Sequence, residues 1–508
     1  MIHFWPPRNR FEALATRYST VPVYCQILSD QLTPVTAFGR LAADAEHAFL
    51  LESVVGGEKI ARYSFIGADP AAVFEATRNK TTLTRDGIAT TEELQDPLQR
   101  LESALGELVE HRPAHLPGLP RFVGGAVGYA AYDVVRYYED LPDAPADARG
   151  LPDLLFGLYD TMVIFDHVQK LIRVVAHAHV QRDGVGESYA AACARVERTV
   201  DSLGTSACGG PVAVSSLAPR GTAPPRYSSN YQRDDFERDV DRCREYIRAG
   251  DILQVVLSQR LCVETSTHPF DIYRALRVVN PSPFMFLVKS PQVTLVGSSP
   301  EILCRVEEGV VTTRPLAGTR PRGRTEAEDF ALEKELLTDP KERAEHVMLV
   351  DLGRNDVGRV AQPGTMRLDE VMTVERYSHV MHICSNVAGR LAPGKTAFDA
   401  LRAILPVGTV SGAPKIRAMQ IIDELEPTRR GPYAGAVGYI DFAGNMDTCI
   451  ALRTLVITGP LDGQRQVYAQ VGAGVVADSE PSREYDETTN KAQSMLRAIE
   501  VADSWSQA

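Results

Sequence analysis

Two pairs of glutamates, each spaced three residues apart, are the residues whose arrangement first indicates chemistry. Glu342 and Glu345 lie in DPKERAEHVMLVDLGRND (339–356), and Glu484 and Glu487 lie in REYDETTNKAQSMLRAIEVAD. Residues three apart share one face of a helix. Two such helices, if they face each other, offer four carboxylates to one hard divalent cation such as Mg2+, which prefers oxygen ligands. Glutamate is common in helices, so the spacing alone is a weak indication of a metal site.

The first pair also has a purely structural interpretation. Asp339 can cap a helix that begins at Pro340, because aspartate is a favoured N-cap and proline suits the first helical position. Glu342 then occupies the third helical position, where a capping box places its carboxylate on the cap backbone. Glu345 is a turn further into the helix and cannot serve as a cap, so it is the stronger candidate for a chemical role.

The second pair lies on the final predicted helix, in one stripe with Lys491. Glu484, Glu487 and Lys491 fall at i, i+3 and i+7. At about 100° per residue, this stripe borders the apolar face of the helix rather than opposing it. The sequence therefore predicts that these charges lie at the rim of packed structure, in a cleft. The apolar face consists of Thr488, Ala492, Met495, Leu496 and Ile499.

Length, charge and cysteine content limit the class of protein. The chain has 508 residues and a formal net charge of −12. A chain of this length exceeds one simple core, and its acidity argues against nucleic acid and membrane as partners. No apolar stretch reaches the roughly 20 residues of a membrane helix, and the N-terminus lacks the apolar run of a signal peptide. The 8 cysteines are scattered without a C-x-x-C pair, so we expect a reduced, cytoplasmic protein.

Composition also predicts how the chain is divided. Residues 206–229 are rich in Gly, Ser, Pro and Ala and are interpreted as a linker. They separate a β-rich N-terminal domain, 1–205, from a C-terminal domain, 230–508. Strand-like and helical segments are mixed without regular βαβ alternation. The predicted fold class is therefore α+β, with two domains of antiparallel β-sheets flanked by helices.

Three local patterns add detail to this prediction. TMVIFDHVQKLIRVVAHAHV predicts an antiparallel hairpin, and CIALRTLVIT predicts a single strand. GGAVGY at 124–129 recurs as GAVGY at 435–439. The recurrence suggests equivalent strands in two sheets, although so short a match is weak evidence for a duplication.

Residues 389–396, GRLAPGKT, match the G-x-x-x-x-G-K-[ST] phosphate-loop pattern between a predicted strand and a predicted helix. An NTPase is therefore an alternative of a different class. Against it, the only run that resembles a metal-binding aspartate after an apolar strand ends at Asp166, far upstream in the predicted hairpin. Thr396 and Asp399 also make an ordinary helix start, a cap with an acidic residue three positions later.

Longer motifs occur in order along most of the chain, from about residue 20 to residue 500. They are LLESVVGGEKIARYSFIG, RAGDILQVVLSQR, NPSPFMFLV, VGSSPEIL, RPLAGTRPRG, DPKERAEHVMLVDLGRNDVGRV, YSHVMHICSNVAG, LPVGTVSGAPKIRAMQIIDELEP, RRGPYAGAVGYIDFAGNMDTCIALRT and QVGAGVVADSEPSREYDETTNKA. Together they resemble the anthranilate synthase component I family, among the chorismate-utilising enzymes. The resemblance implies a two-domain α+β fold built on antiparallel sheets.

The resemblance also implies an activity and a metal. Chorismate and ammonia would give anthranilate and pyruvate, a lyase reaction that is the first step of tryptophan biosynthesis. Mg2+ would hold the ring carboxylate of chorismate. The positions that match the family's metal ligands are Glu342, Glu345, Glu484 and Glu487.

Further positions match the family's substrate contacts and catalytic groups. Glu301 matches the acid that protonates the departing ring hydroxyl, and His382 matches the histidine tied to the later loss of pyruvate. Thr409 matches another substrate contact. A guanidinium fork and N–H groups without bulky side chains suit carboxylates. The positions that match carboxylate contacts are Tyr433, Arg453, Lys491 and the backbone of Gly472, Ala473 and Gly474.

Two positions discriminate between family members. Relatives that add water to chorismate carry a lysine base where this chain has Gln254, and ammonia needs no such base because it brings its own lone pair. Relatives that make 4-amino-4-deoxychorismate commonly carry a nucleophilic lysine where this chain has Ala317. The resemblance therefore favours anthranilate formation, with aminodeoxychorismate synthase component I as the alternative.

The resemblance also implies a partner and a regulator. No cysteine sits in a G-x-C-x-G nucleophile turn, so a separate glutamine amidotransferase subunit would supply ammonia, in a heterodimer or heterotetramer. Tryptophan would bind as feedback inhibitor at positions that match the family's regulatory pocket. Those positions are Glu52, Ser53, Pro283, Met285 and Phe286. Phe284 departs from the tyrosine that the family often has there.

Overall fold

The computed structural model describes residues 2–53, 62–109, 113–181, 183–204, 225–377, 380–460 and 463–506. Within these ranges the chain is an α+β protein, as predicted. Its α-helices are α1 (Arg8–Ala15), α2 (Pro34–Leu41), α3 (Pro97–Val109), α4 (Val185–Gly204), α5 (Arg233–Ala249), α6 (Pro269–Val279), α7 (Glu326–Thr338), α8 (Pro340–Gly358), α9 (Ala397–Ile404), α10 (Lys415–Leu425) and α11 (Pro481–Ser506). None of them is long and apolar enough to cross a membrane.

The strands before residue 205 alternate with few helices. They are β1 (Thr20–Leu28), β2 (Ala48–Glu52), β3 (Tyr63–Ala68), β4 (Ala72–Thr77), β5 (Lys80–Arg85), β6 (Ile88–Glu93), β7 (Gly125–Ala130), β8 (Leu154–Tyr159), β9 (Thr161–Asp166) and β10 (Leu171–His179). The predicted hairpin is confirmed, because β9 and β10 pair antiparallel.

The strands after residue 225 are interspersed with most of the helices. They are β11 (Ser228–Ser229), β12 (Gln254–Thr265), β13 (Phe284–Lys289), β14 (Thr294–Ser299), β15 (Ile302–Glu307), β16 (Val310–Thr313), β17 (Leu316–Pro321), β18 (Arg367–Arg376), β19 (Val380–Arg390), β20 (Gly412–Ala413), β21 (Ala436–Asp441), β22 (Met446–Ile450), β23 (Thr454–Thr458) and β24 (Arg465–Val475). Two short 3-10 turns complete the regular structure of the described residues, at Tyr132–Tyr137 and Gly408–Val410.

The described strands form two antiparallel sheets. The first has the order β1-β10-β9-β3-β2-β13-β14-β23-β24-β12-β11, with β20 beside β12. The second has the order β17-β19-β16-β15-β22-β21-β7-β8-β4-β5-β6, with β18 beside β19. Apolar side chains from both sheets meet between them, among them Phe286 of the first sheet and Tyr129 of the second. Helices cover the outer faces, as α11 does on the first sheet and α9 on the second.

Each sheet draws strands from both sides of the proposed linker. In the first sheet β2 pairs with β13, and in the second β7 pairs with β21. Residues 206–224 lie outside the described part of the chain, and Ser228–Ser229 already pairs with β12. The domain division at 1–205 and 230–508 stays a prediction about the sequence, and neither sheet is confined to one of the two segments.

The two GAVGY motifs are not equivalent strands of separate sheets, so that prediction is wrong. They form β7 and β21, which are direct neighbours in the second sheet, with Gly128 opposite Gly438. Their shared glycines reflect close backbone packing. A Cβ atom at Gly128 would lie 1.9 Å from the carbonyl oxygen of Leu155 on the next strand, which no side chain tolerates.

CIALRTLVIT is two strands rather than one, which corrects a second prediction. The chain leaves the second sheet at the end of β22 and enters the first sheet at the start of β23. Between them Arg453 adopts φ +48°, a left-handed conformation that is uncommon for residues other than glycine. The strand propensity of the sequence does not reveal this break, which places Arg453 where the two sheets diverge.

Candidate active site

A cavity of about 470 Å3 brings together the residues that the sequence singled out for catalysis. Its walls come from β12, β17, β19, β24, α8, α11 and the turn at Gly408–Val410. Of the predicted catalytic, substrate-binding and metal-ligating residues, Ala473 alone is not among those that line it. The residues that do are Gln254, Glu301, Glu342, Glu345, His382, Thr409, Tyr433, Arg453, Gly472, Gly474, Glu484, Glu487 and Lys491.

Glu342 lies in the first turn of α8 but does not form a capping box. The Asp339 side chain caps the helix by accepting from the backbone N–H groups of Lys341, at 2.9 Å, and Glu342, at 3.3 Å. The Glu342 carboxylate instead accepts from Arg320 of β17 at 3.0 Å. The backbone N–H of Asp339 donates to Glu335, so it needs no side-chain acceptor. The capping interpretation of Glu342 is therefore wrong.

Glu345 faces the cavity and experiences the charges of its neighbours. Burial raises the pKa of its carboxyl above the usual range, and the carboxylates of Glu342 and Glu487 raise it further. The Gln254 amide, by hydrogen bonding, opposes this shift. Since Glu487 lies on α11, the carboxylates of the two helices interact across the cavity, as the paired spacing predicted.

The second pair lies at the rim of packed structure, as its helical position predicted. Thr488, Ala492 and Met495 are fully buried behind it. Burial raises the pKa of Glu484, which is also close enough to sense the charges of Glu487 and of Lys341 on α8. Lys491 forms an ion pair with Glu487 at 2.7 Å.

These four glutamates fit a hard cation by donor type, and all four line the same cavity. Burial is the largest cause of the raised pKa of Glu345 and of Glu484. Repulsion from neighbouring carboxylates in the same cavity raises the pKa of each group further. A divalent cation relieves such repulsion. In the described residues, however, no three His, Cys, Asp or Glu side chains are already gathered in a metal-binding arrangement. Arg320 and Lys491 hold Glu342 and Glu487, while Glu345 and Glu484 form no ion pair among the described residues.

Glu301 lies in the turn between β14 and β15, with its carboxyl group inside the cavity. Burial raises its pKa to about 8. The Thr409 hydroxyl, the Leu316 backbone N–H and Arg453 all oppose this shift without cancelling it. At neutral pH the carboxyl is therefore protonated, which is the state required of a proton donor.

His382 of β19 is held through one ring nitrogen. Its Nδ1 lies 3.0 Å from the carbonyl oxygen of Gly318 and 3.1 Å from the hydroxyl of Thr319. A carbonyl only accepts hydrogen bonds, so Nδ1 carries the proton in this arrangement. Burial lowers the pKa of the ring, which keeps it neutral and leaves Nε2 as an acceptor for a proton.

Arg453 is a buried cation in the cavity wall whose charge is available to a ligand. Burial lowers its pKa, and it forms no ion pair with any described carboxylate. A buried guanidinium without a carboxylate partner is costly, so an anionic ligand would stabilise it. Lys491, in contrast, already binds Glu487 and donates to the carbonyl oxygen of Gly472 at 2.9 Å.

Glycines of β24 allow polar side chains to approach the strand. A Cβ atom at Gly472 would lie 2.8 Å from the Tyr433 hydroxyl, and one at Gly474 would lie 2.7 Å from Nε2 of Gln254. Both polar groups therefore occupy space that a side chain would take. The Oε1 atom of Gln254 is buried without a hydrogen-bond partner among the described residues, so it remains available to a ligand that donates.

A second cavity, of about 490 Å3, contains the predicted regulatory residues. It lies between the two sheets, and the rings of Phe122 and Tyr439 stack in its wall at a centroid distance of 3.8 Å. Glu52 is already occupied, because it accepts from Tyr273 at 2.5 Å and pairs with Arg277 at 3.0 Å. The predicted residues that line this cavity are Glu52, Ser53, Pro283, Met285 and Phe286. Residues 54–61 of the same motif lie outside the described chain.

The phosphate-loop pattern is an ordinary strand-to-helix connection. The backbone N–H of Thr396 donates to Asp399 at 3.1 Å, and Lys395 pairs with the same carboxylate at 3.3 Å. Lys395 thus precedes α9 and pairs with a carboxylate in the first turn of that helix. The structural interpretation of this segment is confirmed.

The sequence does not reveal several polar residues in and beside this cavity. Arg320 holds Glu342, and Gln470 and Ser479 line the wall with Lys341. Arg320 lies within the RPLAGTRPRG motif, and the resemblance implies no role for the arginines of that motif. β17 shows no period-two alternation, because its burial is irregular and its pairing with β19 shifts register between Ala317 and Thr319. A partner on α8 depends on tertiary packing that no local pattern encodes.

Comparison with known proteins agrees with this arrangement. The chorismate binding enzyme family matches residues 46–497. Anthranilate synthase component 1 of Acetivibrio thermocellus is 48% identical over 503 residues, which cover 98% of this chain and 99% of that protein. Its counterpart in Pseudomonas putida is 48% identical over 502 residues, covering 97% of this chain and 99% of its own.

Solved structures show the same fold. Anthranilate synthase component I from Streptococcus pneumoniae TIGR4 superposes with a TM-score of 0.75 at 37% identity, over 92% of this chain and 99% of that one. The menaquinone-specific isochorismate synthase of Escherichia coli has a TM-score of 0.67 at 17% identity, over 97% of this chain and 98% of its own, which shows a shared fold only. By its family match and its near full-length relatives, the chain belongs to the anthranilate synthase component 1 family of chorismate binding enzymes.

Proposed function

We propose that this chain aminates chorismate and releases anthranilate and pyruvate, with water as the third product. The observation that carries the proposal is the cavity itself, which joins a protonated acid, a neutral histidine and a buried arginine without an ion pair among the described residues. Chorismate carries two carboxylates and a ring hydroxyl, and these groups match that set. Family membership supports the same reaction.

Glu301 serves as the acid for the departing ring hydroxyl. Its pKa of about 8 keeps the proton on the carboxyl at neutral pH. As ammonia attacks the ring, the carbon–oxygen bond breaks and Glu301 transfers its proton to that oxygen, so the hydroxyl leaves as water. A carboxylate charge on bound chorismate raises the pKa further by like-charge repulsion, which favours the protonated state before the reaction.

His382 serves in the second half of the reaction, in which pyruvate leaves. Its Nδ1 is engaged with the carbonyl of Gly318 at 3.0 Å, so Nε2 is the free basic nitrogen. Removal of a ring proton by Nε2 lets the ring become aromatic while the enolpyruvyl carbon–oxygen bond breaks. The departing enol becomes pyruvate when its methylene carbon is protonated.

Gln254 supports ammonia rather than water as the nucleophile. Its neutral amide cannot act as a general base, and water needs one where ammonia does not. Its buried Oε1 atom has no partner among the described residues, so it can accept a hydrogen bond from ammonia and aim the nitrogen lone pair at the ring. Ala317 also lines the cavity and offers no nucleophile, which disfavours the aminodeoxychorismate alternative.

We propose Mg2+ as the cofactor, held by Glu342, Glu345, Glu484 and Glu487. When bound, the ion would neutralise the carboxylates and hold the ring carboxylate of the substrate. Glu345 and Glu484 are the best-placed ligands, because neither is engaged in an ion pair among the described residues. Glu342 and Glu487 would first have to leave Arg320 and Lys491.

We propose tryptophan as the inhibitor that fills the second cavity. The stacked rings of Phe122 and Tyr439 suit an indole, and the buried Ser53 hydroxyl has no partner among the described residues. A short path connects this cavity to the acid. Met285 of β13 pairs with Ser298 of β14, and the chain continues two residues later to Pro300 and Glu301. Tryptophan inhibits by favouring an arrangement of these strands in which Glu301 is misplaced.

We propose a glutamine amidotransferase subunit as the source of ammonia. Burial raises the pKa of all seven described cysteines, for example to about 11 in Cys25 and to about 12 in Cys243. An activated cysteine nucleophile shows the opposite shift. The isolated chain should therefore form fluorescent anthranilate from chorismate, Mg2+ and ammonium salts. With glutamine it should do so only when the partner is added, and glutamine-dependent turnover by the chain alone contradicts this assignment.

A further inference from the structure

Arg430 is the largest fully buried side chain of the described residues, with 1% of its side chain exposed. It is not among the residues that line the catalytic cavity, and no role follows for it from the family resemblance described above. We propose that Arg430 is a positioning residue, which fixes from behind three parts of the cavity wall: the Thr409 turn, β12 and Tyr433. This inference rests on the proposed function.

The guanidinium group makes two hydrogen bonds to the backbone behind the cavity. Its Nη1 donates to the carbonyl oxygen of Val410 at 2.6 Å, and its Nη2 donates to that of Val256 at 2.8 Å. Val410 and Val256 both line the cavity. Val410 directly follows Thr409, and Val256 lies two residues beyond Gln254, so Arg430 joins the segments that present these two side chains.

The same group is fixed from the other side by Glu426. Nε donates to one carboxylate oxygen at 2.9 Å and Nη2 to the other at 2.6 Å. This two-point contact fixes the plane of the guanidinium group. Glu426 also accepts from the backbone and the hydroxyl of Ser258, at 2.9 and 2.7 Å, and that hydroxyl accepts from Gln470 of the cavity wall at 2.9 Å.

Two aromatic rings complete the arrangement. The guanidinium carbon lies 4.8 Å from the ring centroid of Tyr132 and 5.5 Å from that of Tyr433. The Tyr433 hydroxyl reaches over Gly472, where a Cβ atom would lie 2.8 Å from it. Contact with the Tyr433 ring therefore sets the direction in which its hydroxyl enters the cavity.

Arginine alone among the cations can make this set of contacts. Its planar fork presents five donors in fixed directions, whereas a lysine ammonium is a single point. Lysine at position 430 can keep an ion pair with Glu426, but it cannot at the same time reach both backbone carbonyls. A displacement of about 1 Å in groups that hold substrate reduces catalysis on the order of 100-fold.

The test compares Arg430→Lys with Arg173→Lys, measured without tryptophan. Arg173 is also buried and paired, with Asp166 at 3.1 Å, but it lies on β10 and lines neither cavity. We expect Arg430→Lys to raise the KM for chorismate and to lower kcat/KM on the order of 100-fold. Arg173→Lys should lower the melting temperature while KM and kcat stay at the wild-type values.

Two outcomes separate this inference from the proposed function. If the wild type forms no anthranilate, the proposed function is wrong. If the wild type is active and Arg430→Lys loses only stability, with KM and kcat unchanged, Arg430 is structural and the inference is overturned. Should Arg430→Lys fail to fold, the double variant Glu426→Gln with Arg430→Gln replaces the pair without leaving a buried charge. The glutamine side chain at position 430 is too short to hydrogen-bond to the carbonyl oxygens of both Val410 and Val256. The same rise in KM is therefore expected, and an unchanged KM overturns the inference.

Discussion

Arg320 on β17 donates a hydrogen bond to Glu342 on α8 at 3.0 Å, and this contact decides how the first glutamate pair is used. Arg320 also donates to Asp339, the cap of the same helix, at 2.8 Å. One arginine thus anchors the start of α8 and neutralises its first glutamate. Glu345 lies one turn further along α8 and faces the cavity. The groups that act on its carboxyl are the carboxylates of Glu342 and Glu487, the ammonium of Lys341 and the amide of Gln254.

Replacing Glu345 therefore tests the metal proposal. Glu345→Ala should lower kcat on the order of 100-fold or more, because it removes a proposed ligand of the Mg2+ that would hold the ring carboxylate of chorismate. Its melting temperature should not fall, since burial and like charges already disfavour the ionised carboxyl. Mg2+ should raise the melting temperature of the wild type and have a smaller effect on the variant. Asp351→Asn, at an exposed site on α8, is the control, and a wild-type rate in Glu345→Ala refutes the assignment.

Removal of the acid should be visible in the pH dependence. The pKa of Glu301 is raised to about 8, so the active, protonated form is lost as the pH rises through that value. The kcat/KM of the wild type should decline above about pH 8. Glu301→Gln should be slower by roughly 10²- to 10⁴-fold, and its residual rate should lack this alkaline decline.

The same residue gives a test by stability. A folded-state pKa above the unfolded value means that the protonated carboxyl contributes stability at low pH. That contribution is lost as the pH rises from about 4.5 to about 8. Thermal unfolding of the wild type and of Glu301→Gln should thus diverge with pH, and the variant should be the more stable protein at pH 9. Parallel curves from pH 5 to pH 9 argue against a neutral Glu301.

His382 should be needed for pyruvate release rather than for amination. His382→Ala should still consume chorismate but accumulate an aminated product that retains the enolpyruvyl group, because no base takes the ring proton. Chromatography with mass detection distinguishes this species from anthranilate. Thr319→Ala, which removes one neighbour of Nδ1 at 3.1 Å, should release pyruvate at a reduced rate. A purely structural His382 predicts loss of both steps together.

The tryptophan pocket is tested by inhibition curves. Ser53→Ala removes a buried hydroxyl that has no partner among the described residues. It should weaken inhibition by tryptophan several-fold, since a hydrogen bond contributes about 1 kcal/mol, and leave kcat without tryptophan unchanged. Ser103→Ala, on the exposed face of α3, is the matched control. Identical inhibition of both variants and the wild type places the inhibitor elsewhere.

Local patterns in the sequence predict the elements well and their partners poorly. The spacing of Glu484, Glu487 and Lys491 correctly places them at the rim of the α11 packing face, because helical geometry is a local property. Gly250 ends α5 in a left-handed conformation, at φ +84°, which glycine adopts at little cost. Such features depend only on residues a few positions apart.

Contacts between distant segments are what the sequence does not show. The strand break at Arg453 follows from the chain crossing between two sheets, and the pairing of β7 with β21 joins residues about 310 positions apart. Arg320 and Arg430 act through partners on other elements, so no period or cap reveals them. The candidate catalytic residues follow from the resemblance of long motifs to a known family, and the structure adds how each side chain is held.

Ammonia rather than water is the nucleophile that we propose for chorismate in this cavity. The most direct measurement supplies the isolated chain with chorismate, Mg2+ and 15N-ammonium and identifies every product by mass. We expect anthranilate that carries one 15N atom and an equal amount of pyruvate. Isochorismate or 4-amino-4-deoxychorismate as the final product, without pyruvate, would contradict it.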